Sequence, residues 1–162
     1  MSTGAIATRM RSAASACLII LSLFAACKKE STVDPAAPLV TVFHNISRAD
    51  STGVVIDPDS DDWKPITPIG MSFNPGAYPN PCRTGGGFVL AWHLFVADSV
   101  NITVNDAPDH VVETILAQKL AGGNYAVRSS MAGLQSAIYR VYFRIIRPDS
   151  TYVTFGDVQV GN

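Results

Sequence analysis

The chain has 162 residues, of which 48% are hydrophobic and only 15% charged, so most of it is too apolar and too weakly charged to be disordered. It is long enough for one domain with a hydrophobic core and too short for two of ordinary size. After the first 26 residues the chain carries 10 basic and 13 acidic side chains. This balance argues against a nucleic-acid binder, which needs a basic surface to neutralise phosphates.

Residues 1–26 have the pattern of a bacterial lipoprotein signal peptide. Arg9 and Arg11 give it a positive start, and the apolar stretch that follows is shorter than the roughly 20 residues that span a bilayer. Residues 23–27 read Leu-Phe-Ala-Ala-Cys and resemble a lipobox, which implies cleavage before Cys27 and acylation of its thiol. Several acyl chains anchor a protein stably, whereas a single chain does not. The alternative is a simple signal peptide followed by an unrelated cysteine.

Residues 27–41 are predicted to be a lipidated anchor and an extended linker, since two prolines and several small polar residues favour extended backbone. The segment Lys28-Lys29-Glu30 resembles the charged segment after the anchor cysteine in surface lipoproteins of the Bacteroidetes group. A plain soluble tether is the alternative. Besides Cys27, the mature chain contains only Cys82. We therefore expect no disulfide within the chain and a buried, unreactive Cys82.

Residues 42–76 are predicted to be an N-terminal extension with edge strands and an acidic loop. The loop carries Asp57, Asp59 and Asp61 at alternate positions, where carboxylate oxygens can converge on Ca²⁺. The spacing departs from the EF-hand pattern, because Asp62 stands where that loop needs glycine. The alternative is a solvated acidic loop. Calcium, bound by these three alternate carboxylates, is the one cofactor that the sequence suggests.

Apolar patterns predict strands through the rest of the chain. Residues 88–95 are apolar on both faces, as in a central strand, and residues 100–104 alternate between apolar and polar. Residues 109–120 suit either an amphipathic helix or a strand. Their β-branched side chains favour a strand that turns at Gly122-Gly123 into the next one.

The segment 139–145 is predicted to be a strand with one apolar and one polar face. Its polar face presents Arg140, Tyr142 and Arg144, an alternation that places all three on one side of the sheet. An aromatic ring between two guanidinium groups on an outward face is a candidate contact stripe for a partner. A merely solvated face is the alternative.

Residues 152–160 also suit a strand, but their apolar side chains change parity part-way along. Val153 and Phe155 share one parity and the later valines share the other, with Gly156-Asp157 at the change. We expect a β-bulge there that returns both pairs to the core. Short strands, glycine and proline turns and little helical periodicity together predict an all-β, antiparallel β-sandwich over residues 77–162.

The order of these segments resembles a known family. The resemblance rests on residues 78–82 (Tyr-Pro-Asn-Pro-Cys), 87–95, 98–104, 120–127 and 138–143. These segments resemble the immunoglobulin-like domain of flagellar hook-capping proteins and of type 9 secretion C-terminal sorting domains. Here that domain would be carried on a Bacteroidetes-like lipoprotein. The resemblance implies an immunoglobulin-like β-sandwich. As one fold serves many functions, it implies the activity much less closely.

The residue patterns indicate a binding or structural module rather than an enzyme. His44, His93 and His110 lack metal-binding spacing, and the hydrolase motif Gly-x-Ser-x-Gly is absent. We therefore expect an exported lipoprotein anchored in the cell envelope, in the outer membrane, facing the periplasm or the surface. Its partners would be the membrane and a protein or glycan, not nucleic acid. The alternative is an accessory or cargo component of a secretion or motility apparatus.

Overall fold

The computed structural model describes residues 42–67 and 70–161, which contain nine β-strands and, within those ranges, no helix. The strands are β1 (Arg48–Ala49), β2 (Val55–Asp57), β3 (Met71–Tyr78), β4 (Phe88–Leu94), β5 (Asp98–Ala107), β6 (His110–Leu120), β7 (Gly123–Ser129), β8 (Ala137–Ile146) and β9 (Thr151–Val160). Every pairing between these strands is antiparallel. The predicted all-β class is confirmed, and so is the strand predicted for residues 109–120.

Two of the three sheets face each other across a shared hydrophobic core. One has the strand order β3-β4-β7 and the other β6-β5-β8-β9, while β1 and β2 form a separate two-stranded ribbon. The ring of Phe143 in β8 lies 4.9 Å from that of Phe73 in β3 and 5.4 Å from that of Trp92 in β4, measured between centroids. Side chains of the two sheets therefore interdigitate, as in a two-layer β-sandwich.

The central strands follow the two-residue period of their sequences. In β8 the alternate side chains from Tyr139 to Ile145 are buried, and in β4 those from Phe88 to Leu94 are buried. Because successive side chains point to opposite faces, the residues between them project away from the core. This pattern is the one predicted for residues 139–145, and it fixes which side chains of β8 can meet a partner.

The β-bulge predicted at Gly156-Asp157 is wrong, because β8 and β9 pair without any shift of register. Val153 and Phe155 consequently lie on the outward face, while the valines that follow lie in the core. The inward position at Gly156 is filled by the indole of Trp63, whose nearest atom is 2.1 Å from where a Cβ would stand. The indole of Trp63 therefore takes the place in the core that a side chain of β9 would otherwise fill.

Residues 42–67, here called the strap, cover the open side of the sandwich between β3 and β9. The indole of Trp63 packs against Phe73 of β3, with ring centroids 5.4 Å apart, and against Gly156 of β9. The backbone N–H of Trp63 donates a hydrogen bond to the backbone carbonyl of Phe155 at 2.8 Å. The strap thus occupies part of a strand edge that would otherwise be open to pairing with another chain.

The strap and the sandwich share one core. Trp63 and Ile66 belong to the same cluster of buried side chains as the residues of β4 and β8. The boundary predicted at residue 77 falls inside β3. The predicted signal peptide (1–26) and the predicted anchor and linker (27–41), including Cys27, lie outside the described residues.

Asn80, in the connection between β3 and β4, ties the strap to β9. It is fully buried, and its Nδ2 donates to the carbonyls of Ser47 at 2.7 Å and Asp157 at 2.8 Å. Its Oδ1 accepts a hydrogen bond from the Gln159 N–H at 3.0 Å, and its backbone exchanges two hydrogen bonds with Ala49. A single side chain therefore satisfies backbone groups from two segments that are far apart in sequence.

Candidate functional site

The predicted contact stripe lies on the outward face of β8, but its three residues are not equivalent. Arg140 forms two hydrogen bonds of 2.7 Å with the carboxylate of Asp157. Its guanidinium lies 3.9 Å from the centroid of the Phe155 ring and 4.5 Å from that of Phe43. The hydrogen bonds that Arg140 donates to Asp157 raise the pKa of Arg140, so this side chain is a charged, internally bound group.

The partner carboxylate is buried, which affects its protonation. Burial raises the pKa of Asp157, and the hydrogen bonds and positive charge of Arg140 offset part of that rise. The ion pair is bidentate and lies between two aromatic rings, so it holds the strap residue Phe43 against β9. We assign Arg140 a structural role in fixing this face of the sheet.

Tyr142 and Arg144 are half-buried like Arg140, but neither forms an ion pair within the part of the chain that the structure describes. The guanidinium of Arg144 lies 4.9 Å from the ring centroid of Tyr142, and its Nη1 donates to the hydroxyl of Thr103 at 2.9 Å. Thr103 in turn donates to Asn105 at 3.0 Å. Among residues 42–67 and 70–161, no carboxylate lies within 4.0 Å of Arg144. Its charge is therefore positioned by neutral groups and not neutralised by them.

The accessible surface continues from β8 onto β9. We call the set Tyr142, Arg144, Ile146, Val153 and Phe155 the outer patch; Val153 is 52% exposed and Ile146 45%. Aromatic, aliphatic and arginine side chains are the composition found at the centres of protein interfaces. Beside Val153, a groove of about 260 Å³ separates β9 from the strap.

The acidic loop after β2 brings two of its three predicted calcium ligands, Asp59 and Asp61, together. Asp57 is exposed at the end of β2, and Asp59 accepts a hydrogen bond from the Asp61 N–H at 3.3 Å. A hydrogen bond between the two carboxyls lowers the pKa of Asp59 and raises that of Asp61. In the described part of the chain, no three His, Cys, Asp or Glu side chains are grouped so as to hold a metal ion. Calcium binding here remains a prediction.

The next residue, Asp62, has a different environment. Its two oxygens accept hydrogen bonds from the Ser47 N–H at 2.7 Å and the Asp157 N–H at 2.8 Å. Burial raises the pKa of Asp62 to about 6, although both hydrogen bonds lower it. Asp62 therefore links the strap to β9, a role that its position in an acidic run did not reveal.

The remaining candidate groups are held by local contacts. Cys82 is fully buried, and burial raises the pKa of its thiol, which matches the prediction of an unreactive side chain. The His93 ring lies 2.7 Å from Asn124 and that of His110 lies 2.6 Å from Asp106, at different places in the fold.

Sequence reasoning missed the groups around the stripe. Phe43 and Asp157 reach Arg140 from residues far along the chain, and Phe155 was expected in the core. One available signal was the parity change in residues 152–160, which is equally compatible with an aromatic side chain that faces outward. Contacts of this kind depend on tertiary packing and leave no local periodicity.

The comparisons with known proteins identify no relative. No family model matches the chain, and neither a curated protein nor a solved structure matches it. Within residues 42–67 and 70–161, no helix has the length and hydrophobicity needed to cross a membrane. Inferences about function therefore rest on the residues and their geometry.

Proposed function

We propose that this protein is an exported, lipid-anchored protein of the cell envelope that presents an immunoglobulin-like β-sandwich as a non-catalytic binding module. The outer patch is its contact surface, and the partner is a protein. Cys27 carries the anchor, and the linker of residues 27–41 connects the anchor to the domain. The observation that carries the proposal is Arg144, which is half-buried beside Tyr142 and the exposed Val153 and has no carboxylate within 4.0 Å among the described residues.

The strand order supports the immunoglobulin-like assignment. Apart from the β1–β2 ribbon, seven strands divide into a sheet of the first, second and fifth and a sheet of the fourth, third, sixth and seventh. Seven antiparallel strands divided between two sheets, with consecutive strands crossing from one sheet to the other, are typical of immunoglobulin-like sandwiches.

The start of β8, the sixth of these strands, offers a second line of support. The hydroxyl of the buried Tyr139 donates to the carbonyl of Gln135, four residues upstream, at 3.1 Å. This is the geometry of a tyrosine corner, which in immunoglobulin-like domains lies near the start of the sixth strand. The corner was not apparent from the sequence, where Tyr139 was assigned only to a core face.

The outer patch is suited to protein binding because it combines two exposed aliphatic side chains with an aromatic ring whose position is fixed by its neighbours. Tyr142 is flanked by Arg144 and, at 6.2 Å between ring centroids, by Phe155, so its orientation is restricted before any partner binds. A preordered aromatic side chain loses little conformational freedom on binding. An arginine without a carboxylate partner favours a ligand that brings one.

Site-specific photocrosslinking in the native cells tests this contact surface. A photoreactive phenylalanine at Val153 should give a discrete protein adduct, and the same group at Ala126, exposed on the outward face of the other sheet, should not. Arg144→Glu should weaken the adduct at Val153. Equal adducts from both sites, or an adduct indifferent to Arg144→Glu, would contradict the proposal.

Metabolic labelling with an alkyne fatty acid tests the anchor separately. The wild-type protein should be labelled and the Cys27→Ala variant should not. Protease treatment of intact cells then distinguishes a domain that faces the surface from one that faces the periplasm. An unlabelled wild-type protein would overturn the proposed lipid anchor. The alternative, an accessory or cargo component of a secretion or motility apparatus, would then be favoured.

A further inference from the structure

The β1–β2 ribbon exposes an unusual run of aliphatic side chains. Val54 is 60% exposed, Val55 44% and Ile56 68%. Consecutive side chains of a strand point to opposite faces, so these exposed aliphatic side chains project from both faces of the β2 segment. Single exposed aliphatic residues are ordinary, whereas a contiguous exposed group marks a surface that meets something apolar.

The run is held in this exposed position by a defined turn. Asp50 Oδ1 accepts hydrogen bonds from the Thr52 N–H at 2.8 Å, the Thr52 hydroxyl at 2.7 Å and the Val54 N–H at 3.0 Å. Gly53, with φ of 88°, completes the turn, and its N–H donates a hydrogen bond to the backbone carbonyl of Asp50. The turn fixes the backbone beside the three aliphatic side chains, and the hydrogen bonds between Ala49 and Asn80 hold the ribbon on the sandwich.

The ribbon also lies close in sequence to the proposed anchor. Residues 28–41 contribute 14 residues between Cys27 and the first described residue, Val42. Fully extended, such a segment spans at most about 50 Å. A short tether keeps the bilayer at a high effective concentration around the ribbon.

The charges near the run indicate which kind of bilayer suits it. Asp50 and Asp57 flank the aliphatic residues, and Arg48, in register with Asp57, is the one cation of the ribbon. This net negative charge disfavours a strongly anionic surface and favours a zwitterionic one.

We infer that Val54, Val55 and Ile56 insert into the interface of a zwitterionic bilayer and orient the domain on the membrane. This inference rests on the proposed lipid anchor. Burial of aliphatic side chains at the membrane interface provides the driving force, and the acyl chains on Cys27 provide the proximity. The contact would fix how the outer patch is presented.

A polarity-sensitive fluorophore tests the contact in the full mature protein. Ile56→Cys is labelled with nitrobenzoxadiazole and reconstituted into phosphatidylcholine vesicles; the buried Cys82 is protected from labelling in the folded protein. The matched control is Val111→Cys, an aliphatic position on β6 that is 48% exposed. We expect a blue-shifted emission from residue 56 alone, and quenching by spin-labelled lipid more than about twofold stronger than at residue 111.

Two further measurements separate the failure of this inference from the failure of the anchor. Flotation with vesicles reports anchoring whatever the fluorophore shows, and a polyhistidine tag in place of Cys27, bound to nickel-chelating lipid, restores proximity without acylation. Equal spectra at residues 56 and 111 in the tethered protein would overturn the inference. A concentration-dependent blue shift without vesicles would also overturn it, because the ribbon would then pair with a second copy.

Discussion

Individual residues of the strap have acquired roles that their chemical types do not suggest. Asp62 is the clearest case, because three of its neighbours in the acidic run are solvated while its own carboxylate is buried between the backbones of Ser47 and Asp157. The carboxylate gains two hydrogen bonds and loses most of its hydration. Its pKa of about 6 shows that the loss of hydration is the larger effect.

The raised pKa predicts how stability depends on pH. The folded-state pKa of about 6 lies above the ordinary value of 3.8, so the folded protein binds this proton more tightly than the unfolded one. Protonation of Asp62 therefore stabilises the folded protein fully below the unfolded-state pKa, and this stabilisation is lost as the pH rises through 6. The free energy of unfolding changes by about 3 kcal/mol or less because of this group. Chemical unfolding of the wild type and Asp62→Asn between pH 4 and 7 checks this.

In this comparison the free energy of unfolding of the wild type should fall more steeply with pH than that of Asp62→Asn. Asparagine at this position is destabilising at every pH, because its NH2 group faces a backbone N–H that donated to Asp62. Its side chain does not titrate, however, so it adds no pH dependence of its own. Parallel pH profiles for the two proteins would show that Asp62 titrates normally. Titratable groups distant from position 62 contribute equally to both profiles and cancel, whereas Asp157 and Asp59, whose charges raise the pKa of Asp62, contribute to the difference.

Asn80 should be among the least replaceable polar residues. Asn80→Ala removes three side-chain hydrogen bonds and leaves the backbone groups of Ser47, Asp157 and Gln159 without their partner. Buried unsatisfied groups cost about 1–3 kcal/mol each, so we expect a loss of roughly 3 kcal/mol or more. Equilibrium unfolding measures it, with the exposed Asn124→Ala as the control; similar losses for both would contradict this role.

At the scale of elements, the contact between the strap and β9 depends on a large residue facing the smallest one. The indole of Trp63 fills the space above Gly156, and Gly156→Ala would place a methyl group inside that ring. We expect Gly156→Ala to destabilise the protein strongly and Trp63→Ala to cost about 3–5 kcal/mol.

A double-mutant cycle isolates this contact. In the Trp63→Ala background the added methyl group meets a cavity, so Gly156→Ala should cost far less than in the wild type. Thermal or denaturant unfolding of the four proteins gives the coupling energy. Additive effects would mean that the two residues do not share this space.

The corner at the start of β8 makes a smaller, separate prediction. Tyr139→Phe removes only the hydroxyl that donates to Gln135, and we expect a loss of about 1–2 kcal/mol. The control is Tyr152→Phe, whose hydroxyl makes no hydrogen bond within residues 42–67 and 70–161. Unfolding curves of the two variants should differ, and coincident curves would argue against a tyrosine corner.

The elements differ in how far the sequence specifies them. The faces of β8 follow from alternation alone, because burial on one side of a strand imposes a two-residue period. The outward position of Phe155 could not be predicted in this way. A large ring is expected in the core, but here it packs on the guanidinium of Arg140, a contact made only once β8 and β9 are paired.

At the scale of the whole molecule, the strap completes the sandwich. The sequence predicts residues 42–76 only as an N-terminal extension with edge strands and an acidic loop. The contribution of the strap comes from long-range hydrogen bonds and from Trp63 and Ile66 in the core. The candidate contact stripe was predicted in outline, but only the packing revealed that Arg140 is bound internally while Arg144 is free of carboxylates.

Removal of the strap should therefore affect the whole domain. A protein that begins at residue 70 lacks Trp63 and leaves the edge of β9 uncovered, whereas one that begins at residue 28 retains both features. We expect the shorter protein to lose cooperative thermal unfolding and to self-associate. Calorimetry and light scattering check this, and a monomeric short form with an unchanged Tm would show that the strap is dispensable.

The hydrogen bond between Asp62 and Asp157 joins residues that are 95 positions apart, and this separation determines when folding can finish. A ribosome makes the strap early and β9 more than ninety residues later, so the early segment waits for its partner. Folds dominated by such distant pairings form slowly. A nascent chain cannot form this hydrogen bond until β9 has left the ribosome, so the strap can be fixed in place only at the end of synthesis.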